Sequence, residues 1–135
     1  MADSDADIID EARALTDYDE GLISDSTFQQ LVDIGKEELE EEFSTQAEPF
    51  VGFYNGNQAA DRALFWFTCI AAKVRAGEIA GVNLTVGSIR ATSYSNSKFD
   101  FWFDNFNQKF EEATGGKPSR LQNLSRDNRT YGDNA

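Results

Sequence analysis

The sequence predicts a mainly α protein: a small helical bundle of about four helices, with an extended loop or short β-hairpin before the last helix and an extended C-terminal arm. Three observations carry that prediction. Apolar residues recur at three- and four-residue spacing in four separate windows. Start and stop signals bracket those windows. A single stretch, Val82 to Tyr94, drops to a period of two, which is the spacing of a strand. The chain has 135 residues and is 40% hydrophobic, enough for one domain with one core. The reading divides it into a flexible acidic segment 1–6, a helical domain 7–114 and a polar arm 115–135.

The first helix is expected from Asp7 to Thr16, where Ile8, Ile9, Ala12 and Leu15 share a face. The second opens at "SDSTFQQL", with Ser26 and Gln29 in the form of a capping box, and runs to about Phe43. Phe28, Leu31, Val32, Gly35, Leu39 and Phe43 form its apolar stripe, with Ile34 flanking. Its end is crowded by Glu37, Glu38, Glu40, Glu41 and Glu42. Acids there oppose the helix dipole, and the pairs Glu37/Glu41 and Glu38/Glu42 repel at i,i+4. Molar salt screens that repulsion, so excess acid and few lysines point to a host with a salty cytoplasm.

"AEPFVGFYNGN" reads as a loop, punctuated by Pro49, Gly52 and Gly56, whose Phe50, Phe53 and Tyr54 cover the core. The third helix, Gln58 to Ala76, is apolar on all sides and is expected at the centre. Asn57 is its cap and Gly77 its stop. In Val82–Tyr94 the alternation about Gly87-Ser88 predicts a hairpin or a long extended loop. Two strands alone are marginal in water, so this segment is expected to order against a partner. Ser97 is expected to cap the last helix, which runs to about Ala113. Its stripe is Phe99, Trp102, Phe103, Phe106, Phe110 and Ala113, and Phe101 points off it. The arm is rich in Gly, Ser, Asn and Arg and lacks the composition to fold alone.

Charge is uneven. Residues 1–60 carry 16 acidic and 2 basic side chains, and the remainder carry 8 and 10; the formal net charge is −12. So negative a surface repels nucleic-acid phosphates. There is no histidine and a single cysteine, Cys69, inside the apolar run "ALFWFTCIAA". Imidazole bases, Ser–His pairs, an intrachain disulfide and the usual zinc sites are thereby excluded. That run is too short to span a bilayer, and "MADSDADIID" lacks the pattern of a signal peptide; the chain reads as intracellular. Asp3, Asp5 and Asp7 have calcium-loop spacing, but Ile8 and Ala14 occupy the positions where Gly and Glu are required. "EELEE", Glu37 to Glu41, resembles half of the magnesium pattern of all-helical nucleotide pyrophosphohydrolases; the expected second acidic pair is reduced to Asp61. The sequons at Asn83, Asn123 and Asn128 read as chance matches without a secretion signal. No catalytic group, metal site or cofactor is expected.

An all-round apolar helix ("AADRALFWFTCIAAKV"), a Gly/Ser-rich stretch ("VGSIRATSYS") and a helix with an early Trp ("KFDFWFDNFNQKF") follow one another. That order resembles the head–tail connector proteins of tailed phages and archaeal tailed viruses, also called neck adaptors or head-completion proteins. The resemblance covers about Asp25 to Thr114. It implies a virion protein, made in the host cytoplasm, that forms a homo-oligomeric ring, usually of twelve copies, beneath the portal protein. It implies contact with the next neck or tail-completion protein, with genomic DNA passing through the channel. By the same analogy the partner interface falls on Val86, Gly87, Ser88, Ile89, Arg90, Thr92 and Tyr94, and on Arg120, Arg126 and Arg129 of the arm. Phe101 is added because a large apolar side chain off the buried stripe suits an interface. Two other functions fit the composition: an acidic DNA-mimic or other protein-binding inhibitor, and a magnesium-dependent hydrolase using Glu37, Glu38 and Glu41.

Overall fold

A computed structural model describes residues 4–46, 50–92 and 98–115. Five helices occur in these residues and no strand does: α1 (Asp5–Thr16), α2 (Asp25–Gln46), α3 (Gln58–Arg75), α4 (Val86–Ala91) and α5 (Asp100–Ala113). The mainly α bundle expected from the sequence is therefore the fold. Ser97, Tyr94 and the arm residues Arg120, Arg126 and Arg129 lie outside the described residues.

The bundle is organised around α3, which packs against α1, α2 and α5. From Ala63 to Ala72 every residue of α3 is buried, as its all-round apolar sequence requires. Asn57 accepts the amide of Ala60, and Gly77 follows the helix at φ 83°, a left-handed value that suits a residue without a Cβ. The α2 stripe meets α3 closely at Gly35. A Cβ there would lie 2.9 Å from both Leu64 Cδ1 and Phe67 Cδ1, so glycine sets the approach of the two helices. Phe50 and Phe53 lean on Phe43 at centroid distances of 5.2 and 6.2 Å, and the loop they belong to roofs the core as expected. Against α5, the Phe67 ring sits 6.2 Å from Phe106, while Lys73 sits over Trp102. These pairings make α3 and α5 antiparallel.

Three local expectations are corrected. Residues 1–6 were expected to be loose, yet α1 already begins at Asp5. Ser4 caps it by accepting the Asp7 amide. The α2 cap is Ser24 rather than Ser26: the Ser24 hydroxyl accepts the Thr27 amide at 3.2 Å. The helix therefore starts two residues earlier, at Asp25. The hairpin expected within Val82–Tyr94 does not form among its described residues. Thr85 caps a six-residue helix by accepting the Ser88 amide, and Val86 and Ile89, three residues apart, are both buried. Burial at i,i+3 wins over an alternation that offered only a marginal hairpin.

A half-open face on the central helix

Arg62, Phe65, Trp66 and Lys73 fall on one arc of α3 at 3.6 residues per turn, between the flanks taken by α1 and α5. The two ends of this arc differ. At the C-terminal end Lys73 is enclosed. Its ammonium lies 4.4 Å from the centroid of Trp102, 5.4 Å from Tyr18 and 5.9 Å from Phe99, and 3.1 Å from Glu78 Oε1. Three aromatic faces and a carboxylate are the partners a desolvated ammonium needs. The Tyr18 hydroxyl is buried beside Glu78 without completing a hydrogen bond of good geometry. Burial, reinforced by Glu78, pushes the phenol well above its ordinary range. The Tyr18 hydroxyl and the Lys73 ammonium in turn hold the Glu78 carboxyl below its usual value.

At the N-terminal end the arc is open. Glu11, Ala14, Leu15, Arg62, Phe65 and Trp66 line a groove of about 460 Å³. Arg62 crosses it, donating to Glu11 Oε1 at 2.8 Å and lying 4.2 Å over the Phe65 ring. Leu15 is 44% exposed on one side. On the other, Phe101 is 56% exposed and meets Trp66 edge-on at 5.5 Å. The result is a continuous apolar strip from α1 across α3 to α5. Trp66 itself is buried beneath it, so the strip has a firm floor.

The sequence-expected interface residues divide between core and surface. Val86 and Ile89 are buried in the chain's own core. Arg90 is also spent internally. It donates to Asn107 Oδ1 at 2.9 Å, pairs with Glu111 at 3.5 Å and lies over Phe110 at 4.4 Å. Burial lowers its pKa, with Glu111 opposing. Thr92 donates back to the Ser88 carbonyl. Gly87 is exposed, with open space where a Cβ would stand. Among the described members of this set, only Phe101 combines exposure with a large apolar area. Leu15 and the groove beside it were missed, because Leu15 falls on the same helical face as the core residues Ile8 and Ala12.

Comparison with family models, with curated proteins and with solved structures finds no match. Among the described residues no helix is long and apolar enough to cross a membrane, and no group of three or more His, Cys, Asp or Glu is placed to hold a metal ion. Glu38, invoked above for magnesium, instead accepts the Val86 amide at 3.3 Å. Cys69 is fully buried, and burial pushes its thiol well above its ordinary range.

Proposed function

We propose that this chain is a structural head–tail adaptor. It assembles as a ring beneath the portal of a tailed virus, extends the DNA channel and joins the capsid to the tail. The observation that carries the reading is Phe101. It stands exposed on an otherwise strongly acidic bundle, yet is braced by Trp66 and Trp102 at 5.5 and 5.6 Å. An aromatic held rigidly at the surface loses little side-chain entropy on docking, which is what an interface anchor requires. The order of a buried central helix, a Gly/Ser-rich segment and a Trp-bearing last helix supports the same reading, as does the resemblance noted above. Gly87 and Ser88 of α4, and Arg120, Arg126 and Arg129 of the arm, are further contact residues.

The experiment is assembly. Mixed with its portal protein in molar KCl, the chain should form a ring visible by electron microscopy, and Phe101→Glu should abolish it. A monomer indifferent to the portal under those conditions overturns the proposal.

A second reading is favoured by α2. Asp33, Glu37, Glu40 and Glu41 are exposed along it, a rod of negative charge suited to imitating DNA. Binding to a DNA-handling enzyme, competed by duplex DNA, would favour an inhibitor instead.

A further inference from the structure

We propose that the groove between α1 and α5 is the receptor for this chain's own C-terminal arm, with Leu121 and Leu124 as the anchors that fill it. The inference goes beyond the adaptor reading and does not depend on ring assembly. Three observations converge on it.

Reach comes first. Phe101, in the first turn of α5, meets Trp66 at the edge of the groove, and Gly115 lies past the other end of α5. Fourteen residues separate Phe101 from Gly115, all but the last two of them helical, about 21 Å at 1.5 Å per residue. Gly115 has φ 72°, a left-handed value that ends the helix and turns the chain out of its path. Leu121 and Leu124 stand six and nine residues further on. An extended chain covers roughly 20 Å and 30 Å in those steps. An arm folded back along α5 therefore brings both leucines to the level of Phe101 and Trp66.

Charge comes second. Residues 1–115 carry 22 acidic and 8 basic side chains, whereas residues 116–135 carry four basic and two acidic ones. On α5 itself Asp100 and Asp104 flank Phe101, and Asp104 is exposed. Arg120 and Arg126, on either side of the two leucines, are placed in sequence to meet them. The negative field that keeps acidic surfaces apart attracts this basic segment.

Apolar complementarity is third. The arm has few large apolar residues, and two of them lie three apart. The groove offers an apolar strip whose floor is Phe65 and Trp66 and whose edges, Leu15 and Phe101, stand in water. Covering it removes the largest paired exposure on this face. The functional consequence is occupancy: a partner that uses Phe101 must displace the arm, so the free chain is shielded until that partner arrives.

The test uses the full chain. Cys69 is buried and its thiol suppressed, so a nitroxide reagent will label a Leu121→Cys variant at the new position alone. In spectra of that protein the amide signals of Leu15 and Phe101 should lose most of their intensity, while those of Glu37 and Glu41 keep theirs. Loss spread evenly over the surface, or centred on α2, overturns the proposal. Isotope-labelled chain without the nitroxide, mixed with unlabelled chain bearing it, should show no loss. Loss only in that mixture means that a neighbour's arm fills the groove and overturns docking within one chain. As an independent check, the double variant Leu121→Asp with Leu124→Asp should shift Trp66 and Trp102 fluorescence to the red. An unchanged spectrum counts against the proposal.

Discussion

The two ends of one helical face on α3 have opposite solutions to the same problem. At the Lys73 end the chain supplies its own cation, three aromatic walls and a carboxylate, and the face is closed. At the Trp66 end the same kinds of rings are present, but Leu15 and Phe101 lean outward and leave a groove. Aromatic density alone therefore does not mark a binding surface. What distinguishes the open end is that its rings are braced by each other while nothing of the described chain lies over them.

The contrast can be broken hardest at the closed end. Lys73→Ala removes both a packed stem and the charge facing Glu78, and should cost about 2–4 kcal/mol in chemical denaturation. Lys73→Met keeps the stem and should cost less. Next comes the opposite side of α3. Gly35→Ala drives a methyl into Leu64 and Phe67 at 2.9 Å and should cost about 1–3 kcal/mol, by the same assay.

Acid should weaken the closed regions before the open one. Glu78 is held below the ordinary value of 4.5 by Tyr18 and Lys73. Asp5 is held below 3.8: burial pushes it upward, but hydrogen bonds from Tyr54, Gln29 and Lys36 outweigh that. Both folded-state values are depressed. Their contribution is complete above the unfolded carboxylate range and is lost as pH falls through it. Thermal midpoints measured from pH 6 down to pH 2, each roughly placed about that range, should fall for wild type, and fall less for Asp5→Asn. The smallest effect belongs to the open end. Phe101→Ser should change stability by no more than about 0.5 kcal/mol, while removing the anchor that the proposed assembly uses.

Much of the bundle was legible because periodicity and caps are local. The Asn57 cap, the α2 stripe through Gly35 and the off-stripe direction of Phe101 were all readable within one or two helical turns. The α4 segment was misread because six residues are too few for a helical period to outvote an alternating one. Its decisive fact, the burial of Val86 and Ile89, is tertiary. The Lys73 enclosure was invisible for a related reason. Its walls come from Tyr18, Glu78, Phe99 and Trp102, which no sequence window brings together. The same holds for the groove: Leu15 looks like a core residue of α1 until its distance from any partner helix is known.

Asp5 adds a consequence for the order of events during folding. Its carboxylate receives Gln29, Lys36 and Tyr54, which lie 24, 31 and 49 residues along the chain. Three such closures cannot precede collapse, since each closes a long loop before any contact rewards it. The knot should therefore tighten late, on the native side of the barrier. Asp5→Asn should then speed unfolding in stopped-flow traces while leaving the refolding arm almost untouched, making this one carboxylate a brake on escape rather than a starter of folding.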